Sequence, residues 1–185
     1  MAKRTRVVLV GGGGICDAWM TAVVRERIEL VGLVDLLPAA AEQRRADFNA
    51  TGALCGTDLK AMLKAADPEA VFDCTVPEAH HSVTMTALKH GCHVLGEKPL
   101  ADTMTRARAM VAAAGKADRI YAVIQNRRYQ SQIRALRKFI ESDKIGRLTT
   151  VQSNFSSAPI SAVSAMSWRM PCCWRWRSTR LTRRD

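Results

Sequence analysis

No stretch of this chain approaches the ~20 consecutive apolar residues that span a bilayer. Its apolar run Val7 to Val10 is far too short for the hydrophobic region of a secretory leader. A soluble protein with a cytoplasmic address and no membrane partner is expected. Clustered metal ligands are missing as well: His81, His90 and His93 have no grouped acids or thiols around them, so no metal is expected. The six cysteines (Cys16, Cys55, Cys74, Cys92, Cys172 and Cys173) contain no Cys-x-x-Cys pair, and four stand beside apolar or small residues in expected helices and strands. They read as buried free thiols. No internal repeat or low-complexity linker interrupts residues 1–155.

What is present is enough apolar material, 48% of 185 residues, for one domain of ordinary size or one domain and a fragment. The formal net charge of +11 would suggest a nucleic-acid partner, but it is unevenly placed. From Trp168 onward six Arg and one Asp supply +5 of the +11, leaving +6 for residues 1–167. The basic character belongs largely to the tail, and no nucleic acid is expected for the body of the chain.

The β-branched run Val7 to Val10 is followed by four glycines, a helix-compatible segment Ile15 to Arg27 and a second apolar run Leu30 to Val34. A helix over about Ala39 to Asn49, a strand near Ala53 to Cys55 and a helix Asp58 to Ala66 capped by Thr57 come next. Then follow a strand Ala70 to Cys74, a helix Ala79 to Lys89, a strand Cys92 to Gly96, a helix Thr103 to Ala117 and a strand Ile120 to Gln125. Alternation of this kind implies an α/β fold, a doubly wound parallel sheet covered on both faces. Ile133, Leu136, Phe139 and Ile140 mark an amphipathic helix, Ile145-Gly146 a stop, and Leu148 to Phe155 alternates like a half-exposed strand that opens an α+β unit. Beyond it, Ser, Ala, three Trp, two Cys and six Arg show no sustained period.

Gly11-Gly12-Gly13-Gly14-Ile15-Cys16 follows a strand and opens a helix. It matches the first two positions of G-x-G-x-x-G, with Gly11 for the tight turn and Gly13 for close approach of a pyrophosphate. Cys16 stands where the third glycine normally lets helix pack on strand. Gly14 and Ile15 carry the loop into the helix, whose free amides and positive dipole end favour an anion. Asp35 ends the second strand at the position where an acid accepts hydrogen bonds from the adenosine ribose hydroxyls, so NAD is favoured over NADP; a turn or helix-cap role is the alternative. No base lies at positions 36–41, and Arg44 and Arg45 read as solvated. Thr75, Pro77 and His80 follow the fourth strand at the carboxyl edge, where ligands of open α/β sheets bind, and Glu97-Lys98-Pro99 closes the fifth.

Together with Asn126-Arg127-Arg128-Tyr129, these elements resemble the Gfo/Idh/MocA oxidoreductases, the glucose-fructose oxidoreductase and inositol dehydrogenase relatives. The resemblance covers about residues 4–155, with Glu-Lys-Pro its most specific part. It implies a Rossmann domain over residues 1–126 and, over 127–157, the beginning of a substrate and dimerisation domain of a homo-oligomeric family. It implies NAD as cofactor, a sugar or polyol-like small molecule as substrate, and Lys98 as the catalytic-site lysine that hydrogen-bonds the reacting oxygen. Glu97 would shape the cofactor edge, and Arg127, Arg128 and Tyr129 are further candidates for the cleft.

Family members are longer and carry D-x-x-x-H-x-x-D on a later helix, whereas this chain has no His after His93. Moving the frame forward by two bases within the codon for Ala158, codon degeneracy permits the reading PHFGGFRDELENALLLEMAIHTLDAAR, which contains E-M-A-I-H-T-L-D. Residues 158–185 are therefore expected to be a frameshift product and the chain a truncated dehydrogenase of little turnover. Two further hypotheses are a non-catalytic dinucleotide-binding module and nucleic-acid binding by the Arg/Trp tail.

Overall fold

The computed structural model describes residues 4–25, 28–142 and 144–150. Strands and helices alternate as β1 (Thr5–Val10), α1 (Cys16–Arg25), β2 (Ile28–Val34), α2 (Pro38–Asp47), β3 (Leu54–Gly56) and α3 (Leu59–Ala66). They continue as β4 (Ala70–Asp73), α4 (Pro77–Lys89), β5 (His93–Gly96), α5 (Met104–Ala117) and β6 (Tyr121–Val123). All six strands pair in parallel in the order β3-β2-β1-β4-β5-β6, the doubly wound α/β arrangement expected from the alternation. No helix among the described residues is long and apolar enough to cross a membrane.

Side-chain alternation along the strands sorts the core into two layers. Val8 and Val10 of β1 join Val71, Val94, Met62, Val83 and Leu88, whereas Leu9 joins Cys16, Trp19, Met20, Leu33 and Cys74. Leu9 and Leu33 are each 1% exposed or less, and burying such a side chain contributes ~2 kcal/mol. One irregularity keeps β2 in phase: Val7 pairs with Leu30 but Val8 with Gly32, so Val31 is an extra residue that bulges the strand. Met62 packs over Gly32, where a Cβ would lie 2.5 Å from Met62 Sδ and would make that side chain shift.

Helix ends follow local chemistry. Thr103 caps α5 by accepting the Arg106 amide, but α3 is capped by Asp58 rather than Thr57. Asp58 Oδ1 accepts the amides of Lys60 and Ala61 at 2.7 and 3.1 Å. The carboxylate, one residue later and able to accept from two donors at once, starts the helix one residue past the expected boundary.

Backbone packing divides the chain between Asn126 and Arg127. On the far side, α6 (Ser131–Glu141) is amphipathic, yet Ile133, Leu136 and Phe139 of its apolar stripe are 44%, 53% and 47% exposed. Leu148 to Thr150 form no strand, so the expected strand does not begin there; its remainder, Val151 to Phe155, and the whole Arg/Trp tail lie outside the described residues.

Two predictions follow from capping and burial. Asp58→Ala should lower unfolding stability by about 1 kcal/mol, while Thr57→Ala should change it by no more than a few tenths; equal losses in urea melts would refute the cap assignment. Burial pushes the thiols of Cys16, Cys74 and Cys92 above their ordinary value. The fold holds these protons more tightly than the unfolded chain, so the stability they support is intact below the unfolded thiol value of ~8.5 and is lost as pH rises above it. At pH 8, iodoacetamide mapped by mass spectrometry should spare these three cysteines in the folded protein and modify them in urea; labelling of the folded protein would count against their burial.

Candidate functional site

Because every strand runs the same way, the loops after β1, β2, β4 and β5 all emerge at one edge of the sheet. The strand order reverses between β1 and β4, and a crevice for ligands opens at such a switch point.

The loop after β1 is shaped by what its glycines permit. Gly11 has φ +96° and donates its amide to Val34 O at 2.8 Å. A Cβ on it would stand 2.8 Å from Cys74 C and O and 3.0 Å from Thr75 N, so both conformation and neighbouring backbone require glycine. At Gly13 and Gly14 a Cβ would meet nothing within 4 Å. The fold itself does not demand glycine at those two positions, which stand open to solvent. Gly13 O accepts the Cys16 amide at 3.0 Å, turning the chain into α1, while the amides of Gly13, Gly14 and Ile15 have no intrachain partner among the described residues. Three exposed amides thus stand at the positive end of a ten-residue helix, an arrangement that favours an anion. Cys16 is fully buried between α1 and the sheet, so its thiol fills the space that a third glycine would leave empty.

Asp35 stands directly after β2. Its Oδ2 accepts the Gly12 amide at 2.7 Å and its Oδ1 the Leu37 amide at 2.9 Å, so it both latches the glycine loop and tightens its own turn. It does not cap α2, whose first turn has no side-chain cap. Each carboxylate oxygen keeps a lone pair for a further donor such as a ribose hydroxyl. Arg44 differs from expectation. Instead of lying in solvent it reaches back from α2, donating Nε to Gly12 O at 2.8 Å and Nη1 to Asp17 Oδ1 at 2.7 Å. Arg45 pairs with Glu42 on the helix surface.

The turn after β4 rests on a carboxylate that sequence reasoning missed. Asp73, 0% exposed, accepts the Thr75 amide at 3.0 Å and the Thr75 hydroxyl at 2.5 Å on Oδ1, and its Oδ2 lies 3.0 Å from His80 Nδ1. Thr75 is thereby fixed with its backbone against Gly11. Pro77 opens α4, where its missing amide costs nothing. His80, expected at the cofactor, is 2% exposed, with its Nδ1 turned to Asp73. His80 Nε2 and Thr84 Oγ1, one helical turn apart and both buried, have no partner among the described residues.

Glu97 is likewise buried, with Oε1 accepting the Trp19 indole N–H at 2.8 Å and Oε2 the Lys98 amide at 3.2 Å. Trp19, a second residue the sequence did not single out, packs on Phe72 with ring centroids 5.1 Å apart. The helix that begins at the glycine loop is thus hydrogen-bonded to the residue beside Lys98. The Lys98–Pro99 peptide is cis. Lys98 is exposed, and its ammonium has no partner among the described residues, free to meet an oxygen of a bound molecule. Arg127, Arg128 and Tyr129 belong to a short 3-10 turn, Asn126–Tyr129, in which Tyr129 is 70% exposed. No group of metal ligands occurs among the described residues.

Comparison with known proteins agrees with this arrangement. Residues 5–125 match the model of the oxidoreductase family, NAD-binding Rossmann fold. The D-glucoside 3-dehydrogenase of Escherichia coli is 30% identical over 145 residues, 77% of this chain and 41% of that protein. The inositol 2-dehydrogenase of Rhizobium meliloti is 32% identical over 157 residues, 83% of this chain and 46% of that one. Among solved structures, the WlbA dehydrogenase of Bordetella pertussis, in complex with NADH and UDP-GlcNAcA, is similar with a TM-score of 0.74 at 29% identity, covering 80% of this chain and 42% of its own. The chain spans less than half the length of these relatives. With the match running through β1 to β6 and every loop of the crevice, the chain belongs to the Gfo/Idh/MocA oxidoreductase family and comprises its NAD-binding Rossmann domain.

Proposed function

We propose that the chain is the cofactor-binding portion of an NAD-dependent oxidoreductase that moves a hydride between nicotinamide and a hydroxyl or carbonyl carbon of a sugar, polyol or related small molecule. The observation that carries this is the convergence at one sheet edge of three open amides, an acid with lone pairs to spare and an ammonium group with no partner among the described residues. The relatives' substrates, a D-glucoside and an inositol, support the substrate class.

The residues fit the cofactor. The Gly13-to-Ile15 amides suit a pyrophosphate, and Asp35 suits vicinal ribose hydroxyls while repelling a 2′-phosphate, which favours NAD over NADP. NAD supplies the hydride acceptor when bound. Lys98 hydrogen-bonds the substrate oxygen and stabilises the negative charge that develops there as hydride leaves or arrives at its carbon. Glu97, held by Trp19, and Thr75, held by Asp73, fix the two turns on either side. Residues 127–157 are proposed as the opening of the substrate domain.

Titration with NADH tests the open amides directly. Gly13→Ala has room in the fold and should melt like the wild type, yet weaken NADH roughly tenfold or more, the loss expected when backbone–phosphate hydrogen bonds worth ~1.5 kcal/mol are forced apart. Asp35→Ala should weaken it as well, and wild-type affinity in both variants would dismiss the site. For Lys98, the frame beyond Ala158 is restored and a polyol panel assayed with NAD. Turnover should appear and should fall about 10²–10³-fold in Lys98→Ala. NADH binding without turnover on any polyol would favour a non-catalytic dinucleotide-binding module instead.

A further inference from the structure

We infer that Arg44 is a positioning residue of the glycine loop: by holding the Gly12 carbonyl toward α2, it turns the Gly13 amide outward to meet the pyrophosphate. This rests on the cofactor reading above and deepens it by naming the side chain that aims the first of the open amides.

The loop is fixed one peptide at a time. Gly11 N–H donates to Val34 O at 2.8 Å and holds the peptide that joins β1 to the loop. Gly12 N–H donates to Asp35 Oδ2 at 2.7 Å and holds the Gly11–Gly12 peptide. Gly13 O accepts the Cys16 amide at 3.0 Å and holds the Gly13–Gly14 peptide. Between them stands the Gly12–Gly13 peptide, and the hydrogen bond that grips it runs from Arg44 Nε to Gly12 O at 2.8 Å. With glycine on both sides, no Cβ biases the rotation of that peptide, so its orientation depends on what it is bonded to.

Gripping the carbonyl decides where the amide points. The Gly12–Gly13 peptide is trans. In a planar trans peptide the N–H and C=O point in opposite directions. With Gly12 O drawn toward Arg44 on α2, Gly13 N–H faces away from α2, at a residue that is exposed and where a Cβ would meet nothing within 4 Å. Gly12, in contrast, lies against α2: a Cβ there would stand 3.2 Å from Asp35 Oδ2, 3.4 Å from Arg44 Cγ and 3.5 Å from Ala40 O. A carbonyl that accepts from a cation also makes the N–H of its own peptide a stronger donor.

Arg44 is held in turn. Its Nη1 donates to Asp17 Oδ1 on α1 at 2.7 Å and to Asp47 Oδ2 on α2 at 3.4 Å, and Cζ lies 5.9 Å from the Phe48 ring centroid. The side chain is 21% exposed. A guanidinium already fixed by these neighbours gives up little further freedom in keeping its bond to Gly12, and that bond is charge-assisted.

The test separates the hydrogen bond from the charge. Arg44→Met keeps the apolar stem without a donor, whereas Arg44→Gln places an uncharged amide nitrogen where Nε stands. Both remove the charge that faces Asp17 and Asp47, so the difference between them reports the bond to Gly12. NADH should bind about tenfold more weakly to Arg44→Met and within about threefold of wild type to Arg44→Gln, the scale of one hydrogen bond. Glycine-selective isotope labelling and NMR supply a readout that a general loss of packing would not give. In the ligand-free protein the Gly13 amide resonance should move or broaden in Arg44→Met and stay near its wild-type position in Arg44→Gln. The resonances of Gly91 and Gly115, which lie outside the loop, should stay in place in both. Thermal melts identify a variant that fails to fold, and Arg44→Ala then replaces Arg44→Met. An unmoved Gly13 resonance in Arg44→Met, wild-type NADH affinity in that variant, or equal losses in Arg44→Met and Arg44→Gln overturns the assignment. No NADH binding by the folded wild type overturns the cofactor reading instead, while the Gly13 resonance still reports whether Arg44 holds the peptide.

Discussion

The crevice depends on one close approach: the backbone of Gly11 lies so near the Cys74–Thr75 peptide that a single methyl group would collide with it. That approach lets the β1 and β4 loops touch at the point where the sheet changes winding direction. The sheet alone would bring the loops to the same edge but would not fix their separation. Two buried carboxylates then make the arrangement rigid. Asp73 holds Thr75 against the glycine loop from below, and Glu97 ties the lysine turn to α1 through Trp19. Buried carboxylates are costly unless hydrogen-bonded, and each of these accepts at least two donors.

Polar satisfaction is incomplete at one place. Among the described residues, His80 Nε2 and Thr84 Oγ1 are buried without a hydrogen-bond partner. Tyr121 reaches the neighbouring turn by donating its hydroxyl to Leu100 O at 3.2 Å, and burial pushes that phenol above its ordinary value. The two loops that would flank a nicotinamide are thus supported from within by polar side chains rather than by apolar packing alone.

Much of this was legible in the sequence because it depends on period and on glycine. Alternating β-branched runs and helix-compatible segments predict the six strands, and four glycines between a strand and a helix predict the tight turn at Gly11. What could not be read were contacts between residues distant along the chain. Trp19 and Glu97 are 78 positions apart, and Arg44 lies 32 beyond Gly12. Nothing in helical periodicity says that an arginine on α2 turns back to a loop instead of toward water. Asp73 had a faint local mark, a carboxylate ending the apolar strand Ala-Val-Phe and followed two residues later by Thr75. His80 stands after the strand as a site residue would, and nothing in the sequence shows that it is buried with Nδ1 beside Asp73. The cap of α3 turned on a choice between adjacent residues, which composition does not decide.

The exposed stripe on α6 has a consequence that is cellular rather than chemical. Ile133, Leu136 and Phe139 present a continuous apolar line of the sort that chaperones and proteases monitor. A chain can hold a well-built crevice and still be scarce, since its steady-state abundance is set by whether such a line is covered. Covering that line, rather than improving the crevice, is what would raise the abundance of such a chain.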